Sequence, residues 1–224
     1  MRLDKHVVAH YDKRKERGEI MLYALSIEQA RRLPDAFCRA WFPKRLARVY
    51  AREDDALRSL AAGALVAGVL GVHEEEITYG AHGKPLIAGR HFSLSHSGEY
   101  ALLAVGDTPI GTDIEKIEPR KVRASERLFQ SEELRWLRER PEERFFFLWT
   151  LKESVLKMLG CGLSVPLPRF SVLPLLEGGS IVYGGTCFGT VTVFDGHCAA
   201  VCTTRPVAPL LPQRMRAEEI TNHG

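Results

Sequence analysis

Hydrophobic and polar residues alternate along part of this chain. Such alternation predicts a strand over "HFSLSHS", and short apolar or β-branched segments predict strands over "EIMLYALS" (residues 19–26), "EITYG", "YALLAVG" and "PIGTDIE". Near the C-terminal end, apolar runs separated by Gly and Asp predict further strands over "SVLPLL", "TVTVF" and "CAAVCTT". The pattern therefore predicts a strand-rich chain whose strands fall in two groups.

Two longer segments carry apolar residues at helical spacing instead. One predicts a helix from about Asp54 to Leu70, followed by Gly71, and the other a helix from about Glu142 to Leu159, followed by Gly160. Shorter helices are predicted after the capping residue Ser26 and from Ser131. Helices and strands in this mixture predict an α+β fold.

The order of elements repeats along the chain. Setting residues 21–26 over residues 110–115 also sets the first long helix over the second, with Gly71 falling on Gly160. We therefore predict a pseudo-twofold duplication, with the active site in the cleft between two α+β halves. The expected segments are a basic tail at 1–18, an N-terminal half at 19–108, a C-terminal half with the chemistry at 109–205, and a loosely held tail at 206–224.

Composition narrows the class of protein. The chain has 224 residues, of which 45% are hydrophobic and 26% charged, and its net charge of +3 is too small to indicate a nucleic-acid partner. No uncharged stretch is long and apolar enough for a membrane span, and the first residues lack the apolar centre of a signal peptide. Five cysteines without a C-x-x-C pair favour reduced thiols. We expect a cytoplasmic protein that binds neither membrane nor nucleic acid.

Paired acids in a predicted strand are the first chemical signal. Asp113 and Glu115 are two residues apart, so they lie on one face of the strand while Ile114 faces the other way. One interpretation is a solvated face with the isoleucines in the core. The other is a site in which a cation offsets the repulsion between the two carboxylates.

A third carboxylate lies on the second long helix. Trp149, Glu153 and Lys157 follow each other at intervals of four and form one stripe. An ordinary Glu to Lys pair would explain two of them. A Glu beside Asp113 and Glu115, however, would complete an all-oxygen cluster suited to Mg²⁺ or Mn²⁺ bound together with a phosphate.

The segments "HGKP", "FSLSHSG", "PIGTDIEKI" and "WTLKESVLKMLG", in this order, resemble the 4′-phosphopantetheinyl transferases, in particular their longer monomeric type. The resemblance covers about residues 42–170. It implies a monomer with coenzyme A as substrate in the cleft, Mg²⁺ on its pyrophosphate, and transfer of the phosphopantetheine arm to a serine of an acyl or peptidyl carrier protein. The product would be 3′,5′-ADP.

The same resemblance implies roles for individual residues. It assigns the metal to Asp113, Glu115 and Glu153, and catalysis to Glu153, Lys157, His96 and Glu133. It assigns contacts with coenzyme A to Lys44, Arg45, Arg52, Arg58, Lys84, Pro85, Ser95, His96 and Lys157. Considered without the family, His96 is as well explained as a structural histidine, and Glu133 as a first-turn acid favoured by the helix dipole. The basic residues from 39 to 58 fit a solvated helix surface equally well.

Three questions stay open at this level. The serine proton passes to Glu153, directly or through a water, or to Glu133. The segment "KIEPRKVRASER" is either a solvated loop or the carrier-binding patch, with Lys116, Arg120, Lys121, Arg123 and Arg127 against Glu118 and Glu126. The alternative functions are a metal-dependent phosphohydrolase and a non-catalytic coenzyme A-binding module.

Overall fold

The structure is a computed structural model, and it describes residues 19–122 and 127–222. The predicted basic tail at 1–18 lies outside these residues, as do Arg123 and Glu126 of the predicted carrier patch. Helices and strands mix along the chain, so the predicted α+β class is confirmed.

Most strands follow the predicted segments in both halves of the chain. The strands are β1 (Met21–Ser26), β2 (Thr78–Tyr79), β3 (Pro85–Leu86), β4 (His91–Ser97), β5 (Tyr100–Gly106), β6 (Ile110–Lys116), β7 (Ser180–Val182), β8 (Thr186–Phe194), β9 (His197–Thr203) and β10 (Gln213–Arg214). The short strands β3, β7 and β10 were not predicted. One sheet has the order β10-β1-β5-β4 and another the order β6-β9-β8-β7, while β2 pairs with β3 as a separate hairpin.

The two long helices begin and end close to the predicted residues. The helices are α1 (Ile27–Ala30), α2 (Asp35–Trp41), α3 (Pro43–Ala47), α4 (Glu53–Leu65), α5 (Ser131–Leu137), α6 (Pro141–Leu159), α7 (Leu173–Leu176) and α8 (Ala217–Thr221). A π turn over Val66–Leu70 continues α4 to Gly71, and α6 ends at Gly160. Both glycines have left-handed backbone angles, which explains why the helices stop there.

Each long helix packs on one sheet, and the opposite faces of the two sheets meet. The first core lies between α4 and the β1-β5-β4 sheet, and the second between α6 and the β6-β9-β8 sheet. The contact between the sheets is formed by buried apolar residues from both halves: Leu22, Ala24, Leu102, Ala104, Ile110, Ile114, Ala199 and Val201. This contact holds β4 beside β6, where the predicted site residues lie.

A close approach of strand and helix fixes the position of α6. A Cβ atom at Gly111 would lie 2.0 Å from the carbonyl oxygen of Ser154 and 2.4 Å from the nitrogen of Met158. Glycine at this position therefore lets β6 lie directly against α6. Since Asp113 is on β6 and Glu153 on α6, this contact sets how near the two carboxylates are.

Two expectations about the C-terminal half were wrong. The segment "SVLPLL" contains a short helix, α7, because Pro174 fits the first turn of a helix and cannot donate to a strand ladder. The segment after Arg205 is not a loose tail: β10 pairs in parallel with β1, and Met215 and Ile220 are buried in the core of the N-terminal half. The segment carries charged residues, but some of its apolar side chains pack into this core.

Candidate active site

Most of the predicted site residues line one groove between β4, β6 and α6. The groove has a volume of about 440 Å³. Its lining includes the following predicted residues: Arg45, Pro85, Ser95, His96, Asp113, Glu115, Trp149, Glu153 and Lys157. The helical stripe of Trp149, Glu153 and Lys157 therefore faces the paired acids of the strand, as its spacing predicts.

Strand geometry explains why the two acids of β6 point the same way. Asp113 and Glu115 face the groove, while Ile110 and Ile114 are buried in the contact between the two sheets. The isoleucines therefore serve the core, as the first interpretation expected. The Asp113 carboxylate is not on a solvated face, since this residue is only 5% exposed, whereas the Glu115 side chain is 29% exposed.

Asp113 is held by a lysine and a serine. The Lys157 ammonium donates to Asp113 Oδ1 at 2.7 Å and to Ser95 Oγ at 2.9 Å. Ser95 in turn donates to Asp113 Oδ1 at 2.8 Å. This places a positive charge and a carboxylate at the centre of the groove, one turn of α6 beyond Glu153.

Glu153 is in an environment that disfavours its charged form. Burial is the main cause, and the nearby Asp113 carboxylate adds to it, so the pKa of Glu153 is raised to about 7. Burial also raises the pKa of Glu115, although the hydrogen bond from Ser97 opposes this shift. A cation in the groove would stabilise both ionised carboxylates.

Two carboxylate oxygens in the groove have no hydrogen-bond partner. Asp113 Oδ2 and Glu153 Oε1 are both buried and unpaired. Such atoms are rare in folded proteins, and hard oxygen donors of this kind suit Mg²⁺. In the described residues no three acidic, His or Cys side chains already form a close metal-binding group, and the nearest cation to Asp113 is Lys157.

A second groove adjoins the first on its basic side. His96 lines both grooves, and the second also contains Arg52, Arg58 and Lys116. The Arg58 guanidinium donates to the carbonyl of Gly98 at 2.8 Å and pairs with Asp55. Partial desolvation and the charge of Arg58 lower the pKa of His96, which favours the neutral imidazole at neutral pH.

Arg45 is brought to the groove by a buried acid that the sequence did not reveal. Glu74 is 7% exposed, accepts hydrogen bonds from the backbone nitrogens of Lys44 and Arg45, and pairs with the Arg45 side chain at 3.3 Å. The guanidinium also donates to the carbonyl of Ser59 at 3.3 Å. Glu74 therefore holds both the start of α3 and the direction of Arg45.

Lys44 does not join this arrangement as predicted, and Lys84 adjoins it without lining either groove. The Lys44 side chain is exposed and lines neither groove. The Lys84 ammonium donates to the carbonyls of Met158 at 2.9 Å and Ile110 at 3.4 Å, and burial lowers its pKa. Its contacts tie α6 to β6, and it lines a further cavity together with Glu153 and Lys157, so its contact with a phosphate stays a prediction. Pro85, the next residue, does line the groove.

Glu133, the alternative general base, does not fit a catalytic role. Its side chain is fully buried and lies 2.9 Å from the equally buried ammonium of Lys152. It also accepts hydrogen bonds from the backbone nitrogens of Gln130 and Val172, both at 2.9 Å. A carboxylate enclosed in this way has no path to a substrate hydroxyl. The position of Glu133 in the first turn of α5 does not by itself explain its pairing with Lys152.

Comparison with known proteins shows which family this chain is similar to. Residues 109–202 match the family described as the 4′-phosphopantetheinyl transferase superfamily. A 4′-phosphopantetheinyl transferase called ffp, from Bacillus subtilis, is 36% identical over 86% of this chain and 93% of its own length. Psf-1 from Bacillus pumilus is 34% identical over 69% of this chain and 74% of its own length. Sfp from Bacillus subtilis (strain 168) is 32% identical over 72% of this chain and 80% of its own length.

These similarities define the class of protein. The chain belongs to the 4′-phosphopantetheinyl transferase superfamily, as the resemblance of its motifs predicted. Within that family it is an enzyme of the longer type that Sfp represents.

Proposed function

We propose that this enzyme transfers the 4′-phosphopantetheine arm of coenzyme A to a serine of an apo acyl or peptidyl carrier protein and releases 3′,5′-ADP. The observation that carries the proposal is the convergence of Asp113, Glu153, Lys157 and His96 on one groove. The relatives named above are all 4′-phosphopantetheinyl transferases, which supports the same reaction. A non-catalytic coenzyme A-binding module would lack at least one of these acids.

The proposal includes Mg²⁺, with Mn²⁺ as a substitute. Asp113, Glu115 and Glu153 would hold the ion, and the unpaired oxygens of Asp113 and Glu153 support this choice. When bound, the ion supplies positive charge next to the pyrophosphate of the substrate. The Lys157 ammonium, now bound to Asp113, would then be available to a phosphate oxygen.

The groups of the chain account for the rest of the reaction. The serine oxygen forms a bond to the β-phosphorus while the bond from that phosphorus to 3′,5′-ADP breaks. Lys157 and the N–H of His96 offset charge on the phosphate oxygens. We assign the serine proton to Glu153, directly or through a water, because Glu153 lines the groove whereas Glu133 is enclosed.

We also propose that the two halves arose by duplication. In each half the first strand is followed by a long helix, and the last strand of the half pairs between that first strand and the strand before it, as in the orders β1-β5-β4 and β6-β9-β8. The shared order supports a common unit for both halves, which would act as a single monomer with its site between them.

The cysteines bear on the cellular compartment of the protein. All five cysteines are free thiols, and four of them are buried. Free thiols are typical of a reducing environment, so we propose the cytoplasm. As a separate finding, no helix among the described residues has the length and apolar character needed to cross a membrane.

The test is to incubate the protein with coenzyme A, Mg²⁺ and a panel of apo-carriers and to measure intact masses. We expect one carrier to gain one phosphopantetheine arm, and its Ser→Ala variant to gain none. Chelation of the metal should stop the reaction. Release of inorganic phosphate from coenzyme A without any carrier would instead indicate the phosphohydrolase and contradict the proposal.

Coenzyme A recognition gives a sharper prediction. If Arg58 and His96 bind the 3′-phosphate, wild-type protein should bind dephospho-coenzyme A about 10–100-fold more weakly than coenzyme A, because a charge-assisted hydrogen bond is lost. Arg58→Ala should bind the two ligands with a much smaller difference, as measured by calorimetry, because only His96 then remains to contact the 3′-phosphate. Lys44→Ala is the matched control and should keep the wild-type ratio. An unchanged ratio in Arg58→Ala would remove Arg58 from the site.

A further prediction concerns the surface that binds the carrier protein. Arg120 is exposed at the rim of the second groove, beside Glu118, whereas Lys121 lies 4.0 Å from Glu115 and so adjoins the site itself. Arg120→Glu should raise the KM for the acidic carrier about tenfold at low salt and weaken its salt dependence. The KM for coenzyme A should not change. Arg135→Glu, on the exposed face of α5, serves as control. An unaltered carrier KM would place docking elsewhere.

A further inference from the structure

The strands β4 and β6 run side by side and are joined through serine side chains. The backbone nitrogen of Thr112 donates to Ser93 Oγ at 3.0 Å, that of Ile114 to Ser95 Oγ at 3.3 Å, and that of Lys116 to Ser97 Oγ at 3.1 Å. Each hydroxyl therefore accepts a backbone hydrogen bond from β6, as a backbone carbonyl would in a β-sheet. The alternation in "SLSHS" puts the three serines on one face of β4.

These serines differ in where their own proton goes. A hydroxyl has one proton to donate and two lone pairs to accept with. Ser95 donates to Asp113 Oδ1 at 2.8 Å, and Ser97 donates to Glu115 Oε2 at 2.8 Å. Ser93 makes the same backbone contact but, within the described residues, donates to no carboxylate.

Glu115 depends on its serine more than Asp113 does. Asp113 is almost fully buried and is also held by Lys157. The Glu115 side chain is 29% exposed, and the nearest ammonium, that of Lys121, is 4.0 Å away. A partly exposed glutamate has several rotamers, so a short hydrogen bond that fixes one oxygen removes much of that freedom.

We infer that Ser97 is a positioning residue that orients Glu115 toward the groove for divalent-cation binding. The inference rests on the proposed function, because it concerns how the chain presents one acid of the proposed metal site. Its physical basis is that the Ser97 oxygen is itself fixed by the Lys116 nitrogen, so the direction of its O–H bond is set by the backbone of β6. The contact joins a residue of the N-terminal half to an acid of the C-terminal half.

The test compares Ser97→Ala with Ser97→Thr and Ser93→Ala. Ser97→Ala should weaken divalent-cation binding about 10–100-fold, which is typical for loss of a hydrogen bond to a metal ligand. In the transfer assay this is a higher KM for Mg²⁺ with kcat largely kept at saturating Mg²⁺. Ser97→Thr keeps the hydroxyl and should restore binding. Ser93→Ala loses the same kind of backbone contact and should keep the wild-type KM for Mg²⁺.

A second readout does not involve turnover. The EPR signal of free Mn²⁺ is titrated with each variant in the presence of coenzyme A and without any carrier. Weaker Mn²⁺ binding in Ser97→Ala than in Ser93→Ala supports the inference. Equal binding in the two variants overturns it, because the serine contacts would then matter only for joining the strands. Wild-type protein that retains no Mn²⁺ would refute the proposed metal site as well.

Discussion

Replacing Glu153 with glutamine is expected to reduce transfer by at least about 10²–10³-fold, the usual effect of removing one electrostatic group from an active site. The same change should raise the melting temperature of the metal-free protein. Glu153 has a folded-state pKa of about 7, above its ordinary value of 4.5, because burial disfavours the charged form. Loss of activity together with a gain in stability is the pattern of a functional residue in an unfavourable environment.

The sign of the pH dependence follows from this shift. Between pH 4.5 and 7 the folded state keeps a proton on Glu153 that the unfolded state has lost, so ionisation of Glu153 lowers stability as the pH rises through this range. The gain from Glu153→Gln should be small at pH 5 and larger at pH 8, measured by calorimetry in the presence of a chelator.

Glu142→Gln provides the matched control for this prediction. Glu142 lies in the exposed first turn of the same helix, and its replacement should change neither transfer nor the melting temperature. Wild-type turnover in Glu153→Gln at saturating Mg²⁺ would contradict the assignment of Glu153 to the site.

Breaking the buried pair of Glu133 and Lys152 is expected to lower the free energy of unfolding by about 3–5 kcal/mol. Both side chains are fully buried, and the Lys152 ammonium also donates to the carbonyls of Leu167 and Phe170. Either Glu133→Gln or Lys152→Met leaves one charge without its partner. A loss of this size is a large fraction of the stability of a typical domain.

The kinetics of these variants separate a structural role from a catalytic one. At a temperature where the protein is still folded, Glu133→Gln should keep most of the wild-type kcat. Glu132→Gln, at the exposed neighbouring position, should affect neither stability nor kcat. A Glu133→Gln variant with wild-type stability and no transfer would restore Glu133 as the general base.

Local sequence signals predicted much of the fold because they depend on nearby residues. Gly71 and Gly160 marked the ends of the long helices, while alternation marked β4 and short apolar or β-branched segments marked β5 and β6. The segment "SVLPLL" misled because hydrophobic residues alone do not distinguish a short helix from a strand, and Pro174 decides for the helix. Local patterns also failed for residues 213–221, whose structure depends on partners far away in sequence.

The sequence motifs predicted only part of the arrangement of the site. Spacing was sufficient to bring Glu153 and Lys157 opposite Asp113, because helix and strand periodicities are fixed. The contacts of Lys84 and Glu133 depend on which carbonyls and ammonium groups the fold brings near them, and no spacing encodes that. For the same reason Glu74 could not be recognised as the acid that holds Arg45.

The burial of Met215 and Ile220 in the first core has a consequence for folding order. These residues pack with side chains of α4 and β1, which precede them by about 150 residues or more in the chain. During synthesis the N-terminal half therefore emerges without a part of its own core, and that core closes only after the C-terminal half has been made. The two halves must mature together, and a chain cut before residue 213 would leave the first half incomplete as well as shortened.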